Sequence, residues 1–294
     1  MTSVDVHPDP VPVAEASTAD GTRYWQWGDP DAATTIVAVH GFRGDHHGLL
    51  PIVARLGHHR VLTPDLPGFG ASPPFDDRRH DIAGYAGWLD RFCAEVRPPG
   101  ATGRLVLLGH SFGSVISSAA VADGLSVDRL VLINPIAAPA LEGPRGFLSR
   151  LAVGYYRVGR ALPEPIGGPL LSSRLIVRGL SEVMATTDDP DLRSWIHDQH
   201  HRYFSGYADR RVVVEAFEAS VSHHIGEYTD RLLVPTLLIG GDRDDIVPIA
   251  AQQRLARRLA DARLVILGPV GHLIHYEQPA AAAGWIDEFL LQKA

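Results

Sequence analysis

Lysine is almost missing from this chain of 294 residues: Lys293 is the only one, and arginine supplies every other basic side chain. We read that bias as codon usage and not as chemistry. Positive charge is also short overall, with 27 basic against 34 acidic residues and a formal net charge of −7. No basic block stands out, which argues against nucleic acid as the main partner. Cys93 is the only cysteine, so no intramolecular disulfide can form; this suits a reducing compartment. No apolar run approaches the ~20 residues needed to cross a bilayer, so no membrane partner is expected. Met1 to Thr18 carries Asp5, His7, Asp9 and three prolines, with neither a basic start nor an apolar stretch. It does not read as a signal peptide, and the expected location is the cytoplasm. What is present is ordinary for a globular enzyme-sized chain: 45% hydrophobic and 21% charged residues, enough to bury a large core.

Along the chain, residues 1 to 12 read as a Pro-rich mobile tail. Val13 to Thr18 and Thr22 to Trp27 flank Asp20-Gly21, a hairpin pattern. Thr34 to Val39 is a short continuous apolar strand of the kind found inside a parallel sheet. A helix is expected over Leu49 to Leu56, a strand over Val61 to Thr63, and a turn-rich loop over Asp65 to Pro74. Ile82, Tyr85, Leu89, Phe92 and Val96 fall at helical spacing, and Pro98-Pro99-Gly100 ends that helix. Strands at Leu105 to Leu108 and Leu130 to Ile133 follow, the second stopped at Asn134-Pro135. This alternation predicts an α/β fold with a doubly wound, mostly parallel sheet and flanking helices.

Between 136 and 230 the alternation stops. Helices are expected there over Phe147 to Ala161, Pro169 to Met184, Pro190 to Phe204 and Arg210 to Ser222. Pro163, Pro165, Gly167, Gly168 and Gly206 read as punctuation. The alternation resumes with a strand at Thr236 to Ile239, a helix at Ala250 to Leu259, a strand at Leu264 to Leu267 and a helix at Pro279 to Leu291. The expected organisation is a core of 13–135 and 231–294, with a helical lid, 136–230, inserted after the sixth strand.

Chemistry centres on Gly109-His110-Ser111-Phe112-Gly113, a G-x-S-x-G between a strand and a small-residue helix. That is the pattern of a nucleophile elbow, in which a strained turn lifts the serine hydroxyl clear of the sheet. Serine needs an adjacent base, and the base needs a carboxylate to fix its tautomer. The loop Gly241 to Pro248 offers Asp242, Asp244 and Asp245, and the loop after the last strand offers Gly271-His272.

Five features in register resemble the α/β-hydrolase superfamily over nearly the whole chain. They are His40-Gly41-Phe42; the loop Asp65 to Ser72, similar to D-x-x-G-x-G-x-S; the elbow; G-x-x-D-x-x-V-P at Gly241 to Pro248; and the histidine loop Gly271 to Pro279. The resemblance implies a single-domain, lidded serine hydrolase. Ser111 would be the nucleophile, His272 the base and Asp244 the orienting acid, with Asp242 and Asp245 left as solvated loop acids. Backbone N–H groups of Phe42 and Phe112 would form the oxyanion hole. His40 would brace its loop, His110 would line the site and His275 would pack structurally. His197, His200 and His201 lie on one lid helix, and His223-His224 end another; these read as surface histidines, not a metal centre. No metal and no cofactor is expected. The lid aromatics Phe147, Tyr155, Tyr156, Trp195, Tyr203, Phe204 and Phe217 should mostly pack the lid, a few lining an acyl pocket.

Relatives that use aspartate as nucleophile (haloalkane dehalogenases and epoxide hydrolases) are excluded by Ser111. Carbon–carbon hydrolases of vinylogous diketones resemble the chain but usually show S-M-G-G, where this one has Ser111-Phe112-Gly113-Ser114. The expected function is therefore hydrolysis of a small or medium carboxylic ester, thioester or lactone through an acyl-enzyme. The expected partner is a small apolar ester-type molecule, and the expected state is a monomer or homodimer. A carbon–carbon hydrolase and a non-catalytic small-molecule binder are the alternatives. A histidine base has to be neutral, so the rate should fall in acid, where free imidazole titrates near pH ~6.5.

Overall fold

A computed structural model describes residues 11–97, 100, 102–139, 146–171, 173–204 and 206–292, without the side chains of 146–151, 164, 174–176 and 180. Most of the expected tail, Pro98, Pro99 and the Phe147 side chain lie outside the described residues. The strands are β1 (Ala14–Ser17), β2 (Arg23–Gly28), β3 (Thr34–Val39), β4 (Arg60–Pro64), β5 (Arg104–His110), β6 (Arg129–Ile133), β7 (Thr236–Gly241) and β8 (Ala262–Leu267). They form one sheet in the order β1-β2-β4-β3-β5-β6-β7-β8. β2 runs antiparallel to β1 and β4, and every pairing from β4 through β8 is parallel.

The helices are α1 (Leu50–Val53), α2 (Ile82–Val96), α3 (Phe112–Ala122), α4 (Gly146–Ala161), α5 (Glu164–Leu171), α6 (Arg174–Met184), α7 (Pro190–Tyr203), α8 (Arg210–Ser222), α9 (Ile249–Arg258), α10 (Ile274–Glu277) and α11 (Pro279–Leu291). The continuous apolar strands are buried on both faces, as central parallel strands must be. Alternate residues feed two cores. Val37 and Val39 join Tyr85, Leu89 and Phe92 of α2 and Val115 and Ile116 of α3. Ile36 and Ala38 join Ile52 and Val53 of α1 and Ile286 and Phe289 of α11. Asp81 starts α2 by accepting the Gly84 N–H at 2.9 Å, which satisfies one of the free amides of its first turn. Among the described residues, no helix is long and apolar enough to cross a membrane.

Helices α4 to α8 fall between β6 and β7, where the alternation stops in the sequence. Two backbone bonds tie them to the loop after β4: Gly70 N–H to Gly206 O and Ala208 N–H to Gly68 O, both 2.8 Å. Their boundaries differ from expectation at one place. Pro163 to Gly168 do not simply punctuate; α5 runs from Glu164 to Leu171 with Pro169 inside it. Gly159 and Gly167 serve close packing here: a Cβ on Gly167 would lie 2.3 Å from Gly159 O, and one on Gly159 2.6 Å from Leu171. The helix expected over Pro169 to Met184 is therefore two. The Leu171 carbonyl accepts from the Arg43 side chain, and Ser173, at ψ 118°, leaves helical geometry. Leu49 to Leu56 is also divided, into a 3-10 turn (His46–Leu49) and α1.

Candidate active site

The carboxyl ends of the parallel strands bring the candidate residues together, as expected of crevices in open α/β sheets. Ser111 follows β5 directly. Its φ of 50° and ψ of −115° lie outside the ordinary L-residue regions, so the residue is strained. The strain is held from several sides. Ser111 N–H donates to Ile133 O at 3.0 Å, and Ser111 O accepts the Ser114 N–H at 2.9 Å. The flanking glycines are required by approach: a Cβ on Gly109 would sit 2.5 Å from Gly113 O, and one on Gly113 only 2.2 Å from Val39 O. Phe112 is the first residue of α3, so its N–H has no acceptor within that helix.

His272 lies after β8, in the loop that leads into α10, and is 6% exposed. Its Nδ1 is 2.8 Å from Asp244 Oδ2 and its Nε2 is 2.8 Å from Ser111 Oγ. An ionised carboxylate only accepts, so Nδ1 carries the proton and Nε2 accepts from the serine hydroxyl. Asp244 is buried, and all its acceptor capacity is used. Oδ1 accepts the Ile246 and Val247 N–H groups at 2.9 and 3.0 Å; Oδ2 accepts from His272 and from the Asn134 amide at 2.9 Å. Burial pushes the Asp244 carboxyl up, but the facing imidazole and these donors outweigh it and hold the group below the usual carboxylate range. Asp242 and Asp245 are exposed, as expected, and Asp242 accepts the Val270 N–H.

The loop after β3 closes the other side. His40 braces it as expected: Nδ1–H donates to Gly41 O at 2.8 Å and Nε2 accepts the Leu66 N–H at 2.9 Å. A Cβ on Gly41 would lie 3.4 Å from Ser111 Cβ, so the peptide leading into Phe42 runs alongside the serine. The Phe42 ring packs against Phe112, Tyr156 and Phe217, with centroids 5.8 to 6.4 Å apart. His110 is buried between His272 and His275, and burial first, then the neighbouring His272, pushes its pKa down to about 3.

Three supports were not expected from the sequence. Asn134 Nδ2 bridges Asp244 Oδ2 and Gly271 O, at 2.9 and 3.0 Å. Its φ of 45° marks a turn at the end of β6, and Asn134-Pro135 had signalled only that turn. Thr186 Oγ1 accepts the Gly271 N–H at 2.8 Å and donates to Glu277 Oε2 at 2.8 Å. Thr186 lies beyond the sixth strand and carries no local motif. The third is Arg43, beside Phe42.

The reading of His197 and His200 as surface histidines is corrected. Both are buried, 5% and 2% exposed, and both Nδ1 atoms meet Ser181 Oγ, at 2.6 and 2.7 Å. They face α6 because the H-x-x-H spacing puts both on the inner face of α7. Among the described residues, two groups place three metal-ligating atoms within 4.8 Å of one another: Asp45–His46–His47 and His58–His59–Asp287. Neither includes a residue of the Ser111 constellation.

A model of the alpha/beta hydrolase family matches residues 36–285, and the chain belongs to that family. It is 23% identical over 280 residues to 2-hydroxy-6-oxo-2,4-heptadienoate hydrolase of Pseudomonas putida, covering 89% of this chain and 91% of the relative. It is 26% identical over 266 residues to pimeloyl-[acyl-carrier protein] methyl ester esterase of Neisseria meningitidis, covering 89% and 94%. The enol-lactonase of Burkholderia xenovorans LB400 superimposes with a TM-score of 0.74 at 22% identity, over 95% of this chain and 100% of that one. The chain is thus a hydrolase by family, with an eight-stranded sheet of the family's kind.

Proposed function

We propose that the protein is a serine hydrolase of carboxylic esters, acting on a small or medium acyl ester, thioester or lactone. The observation that carries this reading is the unbroken hydrogen-bonded chain from Ser111 through His272 to Asp244. In the proposed reaction Ser111 Oγ attacks the ester carbonyl carbon while its proton passes to His272 Nε2. Asp244 stabilises the imidazolium without taking the proton. The carbonyl oxygen becomes an oxyanion and receives the Phe42 and Phe112 N–H groups; losing one such donor costs on the order of 3 kcal/mol of transition-state stabilisation in enzymes where it has been removed. His272 then protonates the leaving alkoxide, and the acyl-enzyme is hydrolysed by water through the same steps. The inserted helices serve as the lid, and the aromatic cluster around Phe42 favours an apolar acyl group.

Turnover of p-nitrophenyl acetate and butyrate tests the reading, run beside a vinylogous 1,5-diketone. Ester hydrolysis with no diketone cleavage is the expected result. The converse would move the protein to carbon–carbon bond hydrolysis, which the Pseudomonas putida relative's name keeps in view. Saturable binding with no turnover of either would make it a binder.

A further inference from the structure

Arg43 follows Phe42 and is 1% exposed, among the largest fully buried side chains. A buried guanidinium ordinarily faces a carboxylate. Among the described residues this one meets none. Nε donates to Phe204 O at 3.1 Å, Nη1 to the Tyr156 hydroxyl at 3.0 Å and Nη2 to Leu171 O at 3.1 Å, and the Tyr207 ring lies 5.5 Å from the guanidinium carbon. Leu171 is the last residue of α5 and Phe204 the residue that closes α7. Both carbonyls stand at helix C-termini, where acceptors are unsatisfied and the helix dipole is negative. Two helix ends therefore take the place of the missing carboxylate.

The backbone of the same residue is strained. Gly44 N–H bonds to Gly41 O at 3.2 Å, closing a turn with Phe42 and Arg43 at its centre. Arg43 has φ 64° at the third position of that turn, a place that favours glycine. The relaxed alternative has negative φ there and turns over the Phe42–Arg43 peptide, so that the Phe42 carbonyl and the Arg43 N–H change sides and the turn around Phe42 shifts. This turn is the one that runs alongside Ser111.

We propose that Arg43 is a positioning residue for the oxyanion hole. By capping α5 and α7 it anchors the Gly41–Gly44 turn, and with it the place of the Phe42 N–H beside Ser111, so the hole is complete only while the inserted helices are docked. The proposal rests on the serine-hydrolase reading, because it assigns Phe42 as an oxyanion donor.

The test compares wild type with Arg43→Gln, Arg43→Gly and Tyr156→Phe. It measures kcat and KM on p-nitrophenyl butyrate and inhibition by a trifluoromethyl ketone, a mimic of the tetrahedral oxyanion. Arg43→Gln should lower kcat about 100-fold, the cost of one oxyanion donor. KM should stay within about threefold, and the ketone should weaken in step with kcat. Arg43→Gly should recover about tenfold of that loss, since glycine takes positive φ unaided. Tyr156→Phe removes one acceptor oxygen and should lower kcat about fivefold, with little further effect in the Arg43→Gln background. A folded Arg43→Gln with wild-type kcat overturns the proposal, as does a loss confined to KM or an additive double variant. If Arg43→Gln does not fold, Tyr156→Phe decides: unchanged kcat and ketone affinity overturn it. A wild type that hydrolyses no ester removes the serine-hydrolase reading and this proposal together. A wild type that does, with indifferent Arg43 variants, removes this proposal alone.

Discussion

Asn134 shows how a residue without a motif can support a motif residue. Its amide holds Asp244 Oδ2 and the carbonyl just before His272, so it fixes acid and base relative to each other. Asn134→Ala leaves one lone pair of a buried carboxylate unsatisfied and frees the histidine loop. It should lower kcat roughly tenfold with KM nearly unchanged, the cost of about one charge-assisted hydrogen bond, as steady-state kinetics would read it. Ser111, Asp244 and His272 were legible because their loops carry local patterns that turn geometry imposes. Asn134, Thr186 and Arg43 were not, because their partners are 137, 85 and 161 residues away in sequence, at Gly271, Gly271 and Phe204. The burial of His197 and His200 was missed for a related reason: spacing shows that they share a helix face, but not which face turns inward.

The strand–elbow–helix unit is where local pattern and tertiary packing agree most closely. β5 and α3 meet through Gly109 and Gly113, and α3 also presses on β3. Gly113→Ala would drive a Cβ into Val39 O and His40 O, backbone atoms that cannot rotate away. It should destabilise the fold by about 3 kcal/mol and lower the midpoint of thermal unfolding by several degrees, measured by circular dichroism. The core elements were legible because strand runs and helix periods there are uninterrupted. The inserted helices were legible in number of turns but not in division. Their breaks are set by contacts with the core, as where Arg43 takes the Leu171 carbonyl, and by glycines used for helix contact instead of turns.

At the scale of the whole molecule, the distinctive feature is a set of buried neutral histidines. Burial first, with neighbouring charges second, pushes His110 down to about 3 and His200 down to about 4, and holds His275 well below the ordinary imidazole value. Above pH ~6.5 these groups are neutral folded and unfolded and contribute nothing to pH dependence. Below it the unfolded chain binds protons that the folded chain refuses, so stability falls as the pH drops toward the folded values. At about pH 5, His110 and His200 each cost on the order of 2 kcal/mol. Asp244 acts in the same sense at lower pH: its lowered pKa stabilises the fold above the unfolded carboxylate value near ~3.9, and that is lost only in stronger acid. Thermal unfolding should therefore drop markedly between pH 7 and pH 5 in any buffer, ahead of carboxylate titration. Substituting His200 with glutamine should flatten that drop. The sheet order, the two cores and the converging loops all serve one claim, that Ser111 is a nucleophile activated by His272. The most direct measurement of it is peptide mapping by mass spectrometry after reaction with a fluorophosphonate. The adduct is expected on Ser111, lost in Ser111→Ala with the circular dichroism spectrum unchanged. An adduct elsewhere, or none on the folded wild-type protein, would contradict the account.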